Sequence, residues 1–461
     1  MEQGTIDYLI NTVGSDFVIT NSEQKLSYMY DEIEHNVRPK VNMDSIVVKP
    51  LNSKEISEIV KYAGENKIPI VVHGGGTGLC GGVSPIKESI VISMERMNKI
   101  VEIDEKNMMA VVEAGVTLAQ LIEELEKHSG ICFPVHPGDE GAQMGGMVAT
   151  NAGGARAVKH GIMRNHIKGI EVVLPNGEIL NLGGKLLKDN TGYNLLQLIM
   201  GSEGTLAIIT KITFRLYPED KFTASIVLAF ENISDASNAV LEIMKNGVAP
   251  LAVEYQDRYL NVKSAEILGL HWPLDKGMAD LLIILSEKSE EALYASCQII
   301  NNVCKKYNAS KAVFAGTKKE QAEMLAIRSG SYEVIKENIA YSFDMAVPAG
   351  YMPDFLNDLW KLVDSYGTKS YITAHLADGN VHNDIYMVDG KNPEYLEELK
   401  MKMYKLCFKY GGTLTGEHGI GKLRIRDLTF QKSKAEIELM KSIKRVFDPN
   451  NILNPGTVLE M

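Results

Sequence analysis

The sequence is short of several things that would mark out a protein class. Cysteine is scarce, five in 461 residues, and Cys80, Cys132, Cys297, Cys304 and Cys407 are scattered, odd in number and without metal-finger spacing. That pattern excludes a disulfide scaffold and an iron–sulfur cysteine set, and reduced cytoplasmic thiols are expected. Basic charge is outweighed: 48 Lys and Arg face 59 Asp and Glu, a formal charge of −11. Nucleic acid is a poor partner for such a chain, because neutralising phosphates takes clustered Lys and Arg. No apolar run reaches the roughly 18 residues of a membrane span. The opening Met1-Glu2-Gln3-Gly4-Thr5 is acidic and polar where a secretion signal would be basic and then apolar. Internal repeats and low-complexity tracts are missing too. What is there is 45% hydrophobic and 23% charged, enough for ordinary cores, over a length suggesting two or three units of about 100–200 residues. A large cytoplasmic globular enzyme is the expectation, and its 40 glycines are unevenly spread.

The first half reads as α+β with many glycine loops. Ile56, Ile59, Val60 and Ala63 follow helical spacing behind a capping pair, Asn52 and Glu55, and Ile68 to Val72 is a short buried strand. Strands are expected at Ile90–Ser93, Ile100–Ile103 and Met109–Glu113, and a helix capped by Thr117 and Gln120 carries Leu118, Leu121, Ile122 and Leu125. Asn176-Gly177, between Glu171–Leu174 and Glu178–Leu182, is a hairpin signal, since both turn residues tolerate positive φ. After Pro218 strands and helices come in the order β-α-β-β-α-β (Ser225–Phe230, Ser234–Lys245, Leu251–Tyr255, Leu281–Leu285, Glu290–Tyr307, Ala312–Phe314), which suggests a ferredoxin-like second domain. From about Glu397 the chain is mostly helical.

Two glycine-rich stretches carry the first chemical signal. Gly74-Gly75-Gly76-Thr77-Gly78 follows directly on the strand and presents backbone N–H groups without Cβ obstruction, a concavity suited to phosphate. Gly76 to Gly81 matches G-x-G-x-x-G, but a dinucleotide loop must open a helix, and Pro85 and a new strand at Ile90 follow instead. A Walker loop fails for want of Gly-Lys-Ser/Thr. The plain alternative, a tight turn, weakens once Gly138 to Gly161 brings seven more glycines. Two loops of close backbone imply one extended, phosphate-bearing ligand.

Val71-Val72-His73-Gly74-Gly75-Gly76-Thr77-Gly78-Leu79 resembles the pyrophosphate loop of FAD-linked oxidases of the vanillyl-alcohol-oxidase type. Gly145 to Gly154, Lys188 to Asn194 and Gly201-Ser202-Glu203-Gly204-Thr205-Leu206-Ala207-Ile208-Ile209-Thr210 fit the same family in the same order. The resemblance implies a two-part PCMH-type FAD-binding domain (1–218), a ferredoxin-like substrate or cap domain (219–396) and a C-terminal helical segment (397–461) completing the active site. It also implies that Gly74, Gly75, Gly76, Thr77, Gly78 and Leu79 hold the pyrophosphate. Pro137, Gly138, Asp139, Gly145, Gly146, Thr150, Asn151, Gly153, Gly154, Gly161, Glu203 and Ile209 would surround the rest of FAD. Where some relatives carry a flavin-linking histidine this chain has Thr77-Gly78, so the expected FAD is non-covalent.

His375-Leu376-Ala377-Asp378-Gly379-Asn380-Val381-His382 carries the sharpest signal. A two-residue Asp378-Gly379 turn would set His375 directly against His382, with Cβ atoms about 4.5–5.5 Å apart, close enough to share one metal ion. An incidental pair is the plain alternative. Downstream, Glu417-His418 stands between glycines in Thr415 to Lys422, and two histidines with a glutamate would suit zinc, iron(II) or manganese. Both motifs resemble those of the D-lactate dehydrogenase, glycolate oxidase and D-2-hydroxyglutarate dehydrogenase branch of the family. That likeness implies His375, His382 and Glu417 as metal ligands, His418 as the base and Arg328 as a carboxylate clamp; Asn380 is a flavin or substrate contact. The family's closing Asn-Pro-Gly-Lys is Asn454-Pro455-Gly456-Thr457, so any role of that lysine is absent.

The expected reaction is oxidation of a D-2-hydroxy acid, D-lactate to pyruvate first, with a proton lost to His418 and a hydride to flavin N5. Glycolate or D-2-hydroxyglutarate dehydrogenation with another acceptor is the alternative. With no nicotinamide fold or membrane anchor in the sequence, a soluble electron-transferring flavoprotein is the expected partner. Two other classes stay open: a non-redox transferase related to ether-lipid synthesis, and a subunit whose flavin only relays electrons.

Overall fold

The computed structural model describes residues 1–461, and its contacts divide them into two units. The first holds Met1–Gly153, Ile162–Pro218 and Glu417–Met461; the second holds Gly154–Gly161 and Glu219–Gly416. The helix Leu396–Lys409 therefore falls in the second unit and the helix Lys434–Phe447 in the first.

The first unit is built on a four-stranded and a five-stranded sheet. In the smaller, Ile46–Val48 and Ile70–His73 flank Ile90–Ser93 in parallel. Such strands are covered on both faces and read as unbroken Val/Ile runs, as these do. The helix Ser53–Asn66 starts where Asn52 Oδ1 accepts from Lys54 N and Glu55 N, and it buries Ile56, Ile59, Val60 and Ala63. Full burial of an isoleucine side chain stabilises by about 1.5–3 kcal/mol. The helix Leu118–Leu125 has the expected Thr117–Gln120 capping box. In the antiparallel sheet Val173 pairs with Ile179 across the expected hairpin, but of the two turn residues only Gly177 takes a positive φ (81°), and its N–H donates to Leu174 O (2.8 Å), so the loop is longer than a two-residue turn.

The second unit is organised by one seven-stranded sheet. From one edge its strands run Lys311–Ala315, Phe222–Phe230, Ala279–Glu287, Ala252–Asp257, Ser370–His375, Asn380–Tyr386 and Ile339–Ala346. The first four have the expected ferredoxin-like order, and three more strands extend the sheet on one side. The helix Arg258–Leu268 was not expected; it buries Asn261 and Ser264 beside Leu260 and Ala265, so its inner face carries no clean apolar stripe.

The histidine hairpin corrects the expected register. His375 pairs with Asn380, Ala374 with Val381 and Thr373 with His382, leaving a four-residue loop, Leu376–Gly379. His375 O accepts from both Asp378 N (3.2 Å) and Gly379 N (3.1 Å), which closes the four-residue loop, while Leu376 N donates to Val253 O on the neighbouring strand (3.1 Å). The shift is of two residues, so both histidines keep one face. No helix is long and apolar enough to cross a membrane.

Candidate active site

In the first unit the strand Ile70–His73 runs straight into the glycine loop, beside a cavity. Val72, Gly74, Gly82, Val83 and Met94 form one side; Gly145, Gly146, Ala149, Thr150, Glu203, Gly204, Ala207, Ile208, Ile209 and Asn454 also line it. Both glycine stretches thus share one wall. They also pack on each other: a Cβ on Gly75 would collide with the carbonyl of Gly141. Bare backbone beside Val72, Val83 and Met94 fits a flat apolar ring with a phosphate tail, so the residues present fit FAD.

Of the flavin residues expected from sequence, Gly74, Gly145, Gly146, Thr150, Glu203 and Ile209 line this cavity. Gly76 lies against the His73 ring and Gly78 against Asp31, in the loop that also carries Thr77 and Leu79. Asp139, after Pro137 and Gly138, accepts from Gly141 N (2.7 Å). Asn151 closes the helix Met144–Thr150 and accepts from Arg164 N (3.1 Å). Gly153 abuts the Glu417 carboxylate, whereas Gly154 and Gly161 belong to the second unit. Asn454 and Gly82 were missed; Asn454 donates to Glu203 O (2.9 Å) and to Gly82 O (3.1 Å).

The loop carrying Glu417 and His418 is fastened to this same unit. The Cys80 thiol donates to His418 O (3.1 Å), and Cys80 O accepts from Lys422 N (2.8 Å). The Glu203 carboxylate accepts from Ile420 N (2.9 Å) and Gly421 N (2.8 Å). Burial raises the Glu203 pKa against the pull of those two N–H groups, Lys422 and Arg424. One cavity residue therefore also braces the His418 loop.

In the second unit the sheet collects the polar residues. His375 and His382 lie diagonally across their strand pair, ring centroids 5.5 Å apart. The Nδ1 atom of His375 is 2.7 Å from Glu254 Oε1, and the other carboxylate oxygen of Glu254 is paired with Arg328. Burial would raise the Glu254 pKa, but Arg328 and His375 outweigh it and hold it at about 2. A carboxylate can only accept, so His375 carries its proton on Nδ1, which makes Nε2 the acceptor nitrogen of the ring. Asp344, directly opposite His382, is fully buried, with Oδ1 3.7 Å from His382 Nδ1. It also accepts from Asn380 Nδ2 (2.8 Å) and from Thr415 Oγ1 (2.7 Å). The Asn380 Oδ1 atom is buried with no hydrogen-bond partner. Two imidazoles on one face beside a buried carboxylate and an orphaned amide oxygen fit a divalent cation with oxygen and nitrogen ligands.

The structure thus gathers His375, His382, Asn380 and Arg328 within one unit, together with Glu254 and Asp344, which sequence reading missed. Glu254 and Asp344 lie on strands with no local motif, and only sheet register reveals them. Glu417 and His418 belong to the first unit and follow Gly416 of the second in the chain.

Comparison with known proteins adds the following. A family model described as FAD linked oxidases, C-terminal domain, matches residues 219–458, and one described as FAD binding domain matches residues 45–183. A D-lactate dehydrogenase of Archaeoglobus fulgidus is 39% identical over 94% of this chain and 95% of its own. Glycolate oxidase subunit GlcD of Bacillus subtilis is 31% identical over 98% of this chain and 95% of its own. Among solved structures, p-cresol methylhydroxylase with substrate bound superimposes with a TM-score of 0.78 at 19% identity, covering 100% of this chain and 98% of its own, a likeness of fold.

Proposed function

The chain belongs to the FAD-linked oxidases, and on that premise we propose that it oxidises a D-2-hydroxy acid, D-lactate to pyruvate first, and passes the electrons to a soluble electron-transferring flavoprotein in the cytoplasm. It is an FAD-linked oxidoreductase of the D-lactate dehydrogenase and glycolate oxidase type. The observation that carries the finer reading is the polar face of the second unit, where His375, His382 and Asp344 crowd one side of the sheet.

His375 and His382, with Glu417, would hold a divalent metal (iron(II), zinc or manganese), which when bound supplies Lewis acidity to a substrate hydroxyl. Glu254 orients His375, and Asp344 stands beside His382 with a further oxygen. Arg328 gives one guanidinium nitrogen to Glu254 and has others to offer a substrate carboxylate, the fork suiting a planar anion. Asn380, donating to Asp344 and Met345 O, is left with its amide oxygen for the substrate or flavin. His418 takes the hydroxyl proton as general base. Non-covalently bound FAD supplies the acceptor for the hydride.

The test is an anaerobic titration of the FAD-loaded enzyme with D-lactate, glycolate, D-2-hydroxyglutarate and L-lactate, followed by reoxidation with an electron-transferring flavoprotein or a quinone. D-lactate should bleach the flavin absorbance, the His418→Ala variant should keep FAD but lose bleaching, and the flavoprotein should restore the spectrum. Undiminished bleaching in the variant would remove His418 from its role, and reoxidation by quinone alone would remove the proposed acceptor.

A further inference from the structure

The motif Gly-Glu-His-Gly-Ile-Gly is followed by a lysine that the reaction above does not use. Lys422 is a part-buried side chain whose ammonium has three oxygen partners: Gly82 O (2.9 Å), Asn454 Oδ1 (2.8 Å) and Thr457 Oγ1 (2.6 Å). Two of those partners, Gly82 and Asn454, line the flavin cavity. The geometry around them is tight and costly. Glu203 and Asn454 both hold positive φ, 52° and 43°, and Asn454 Nδ2 ties the carbonyls of Glu203 and Gly82 together. Left-handed backbone at a residue with a Cβ is strained and persists where the surroundings enforce it. Lys422 is the cation at the centre of that arrangement. A lysine removed from water without a full counter-ion is costly unless it serves a charge.

The charges facing it are Glu203 and Asp31, and Arg424 also acts on Glu203. Asp31 accepts from Gly82 N (3.2 Å) and has a second carboxylate oxygen buried without a partner. Burial pushes the Lys422 ammonium down to about 7, against the pull of Glu203 and Asp31, and pushes Asp31 up to about 6. The lysine is thus poised to change charge near neutrality.

We propose that Lys422 is a positioning residue for the flavin: through Gly82 and Asn454 it holds the cavity wall, and its ammonium offsets the negative charge that FAD gains on reduction. In the balanced step two electrons and one proton reach the flavin, leaving it with one negative charge. Below the lysine's pKa the ammonium is already in place to offset that charge; above it the neutral amine takes a second proton from solvent, so that the reduction leaves the net charge of the site unchanged. The fit of FAD to the cavity is its only premise, and the identity of the hydroxy acid does not enter.

The experiment is redox potentiometry of the FAD-loaded enzyme from pH 6 to 9, with dithionite as reductant so that no substrate is involved. Above the lysine's pKa the wild-type midpoint should fall with pH at the slope of two protons per two electrons. Lys422→Met should lower the midpoint and halve that slope, while Lys422→Arg, permanently charged, should restore the midpoint and keep the halved slope. If Lys422→Met does not retain FAD, Thr457→Val decides. It removes one acceptor from the ammonium and should move the onset of the steeper slope to lower pH. A Met variant with the wild-type midpoint and slope, or an unmoved onset in Thr457→Val, would overturn the proposal.

Discussion

Glu254 shows how much one side chain decides. It is 2% exposed, takes Nδ1 of His375 on one oxygen and Arg328 on the other, and has no apolar substitute that would satisfy both. Removing one member of a buried ion pair typically costs about 3–5 kcal/mol, because the survivor is left charged in a dry place. Glu254→Gln is the milder change, keeping the shape and one acceptor while losing the charge that selects the Nδ1–H tautomer. Outer partners of metal-binding histidines are worth about ten- to a hundredfold in metal affinity. Metal titration of Glu254→Gln should show a loss of that order with FAD absorbance unchanged. Wild-type metal affinity in the variant would mean that Glu254 serves the sheet and not the histidine.

At the scale of elements, the hairpin Ser370–Tyr386 depends on its loop. Gly379 sits at φ +92°, and a Cβ there would run into the carbonyl of Val347, the residue whose N–H donates to Gly379 O (3.0 Å). Gly379→Ala should therefore destabilise by about 1–3 kcal/mol, read as a lower urea midpoint at constant slope. A midpoint within error of wild type would show that the loop relaxes freely. The same hairpin marks where local reading stops. The capped helices at Asn52 and Thr117 and the Asn176-Gly177 turn were legible because their determinants lie within four residues of one another. The histidine register was not: its loop is held from outside, where Val347 N donates to Gly379 O and Leu376 N to Val253 O, contacts that no local pattern shows. Asp344 and Glu254 were illegible for the same reason: each reaches its histidine across strands. The glycine loops were legible as a ligand cradle because close backbone needs glycine whatever packs against it. Asn454, whose contribution is one side-chain amide bridging two carbonyls, left no such mark.

Across the whole molecule, the cavity wall draws on residues from Val72 to Asn454, so a bound flavin would tie together segments that the chain brings in separately. A ligand that binds only the folded state stabilises it by mass action, about 2.7 kcal/mol at a free concentration a hundred times its Kd. The unfolding midpoint of apoprotein should therefore rise with added FAD and keep rising logarithmically beyond saturation. The same binding should show where it acts. Amide hydrogen exchange is expected to slow at 74–82, 145–150 and 204–209, whose glycines and neighbours line the cavity, and also at 450–458, where Asn454 bridges Glu203 and Gly82. The last stretch is the discriminating one, because it has no glycine run and enters the wall only through Asn454. Protection of the three glycine segments with unchanged exchange at 450–458 would mean that FAD is held by the loops alone, and that Asn454 with Lys422 behind it braces the protein and not its cofactor.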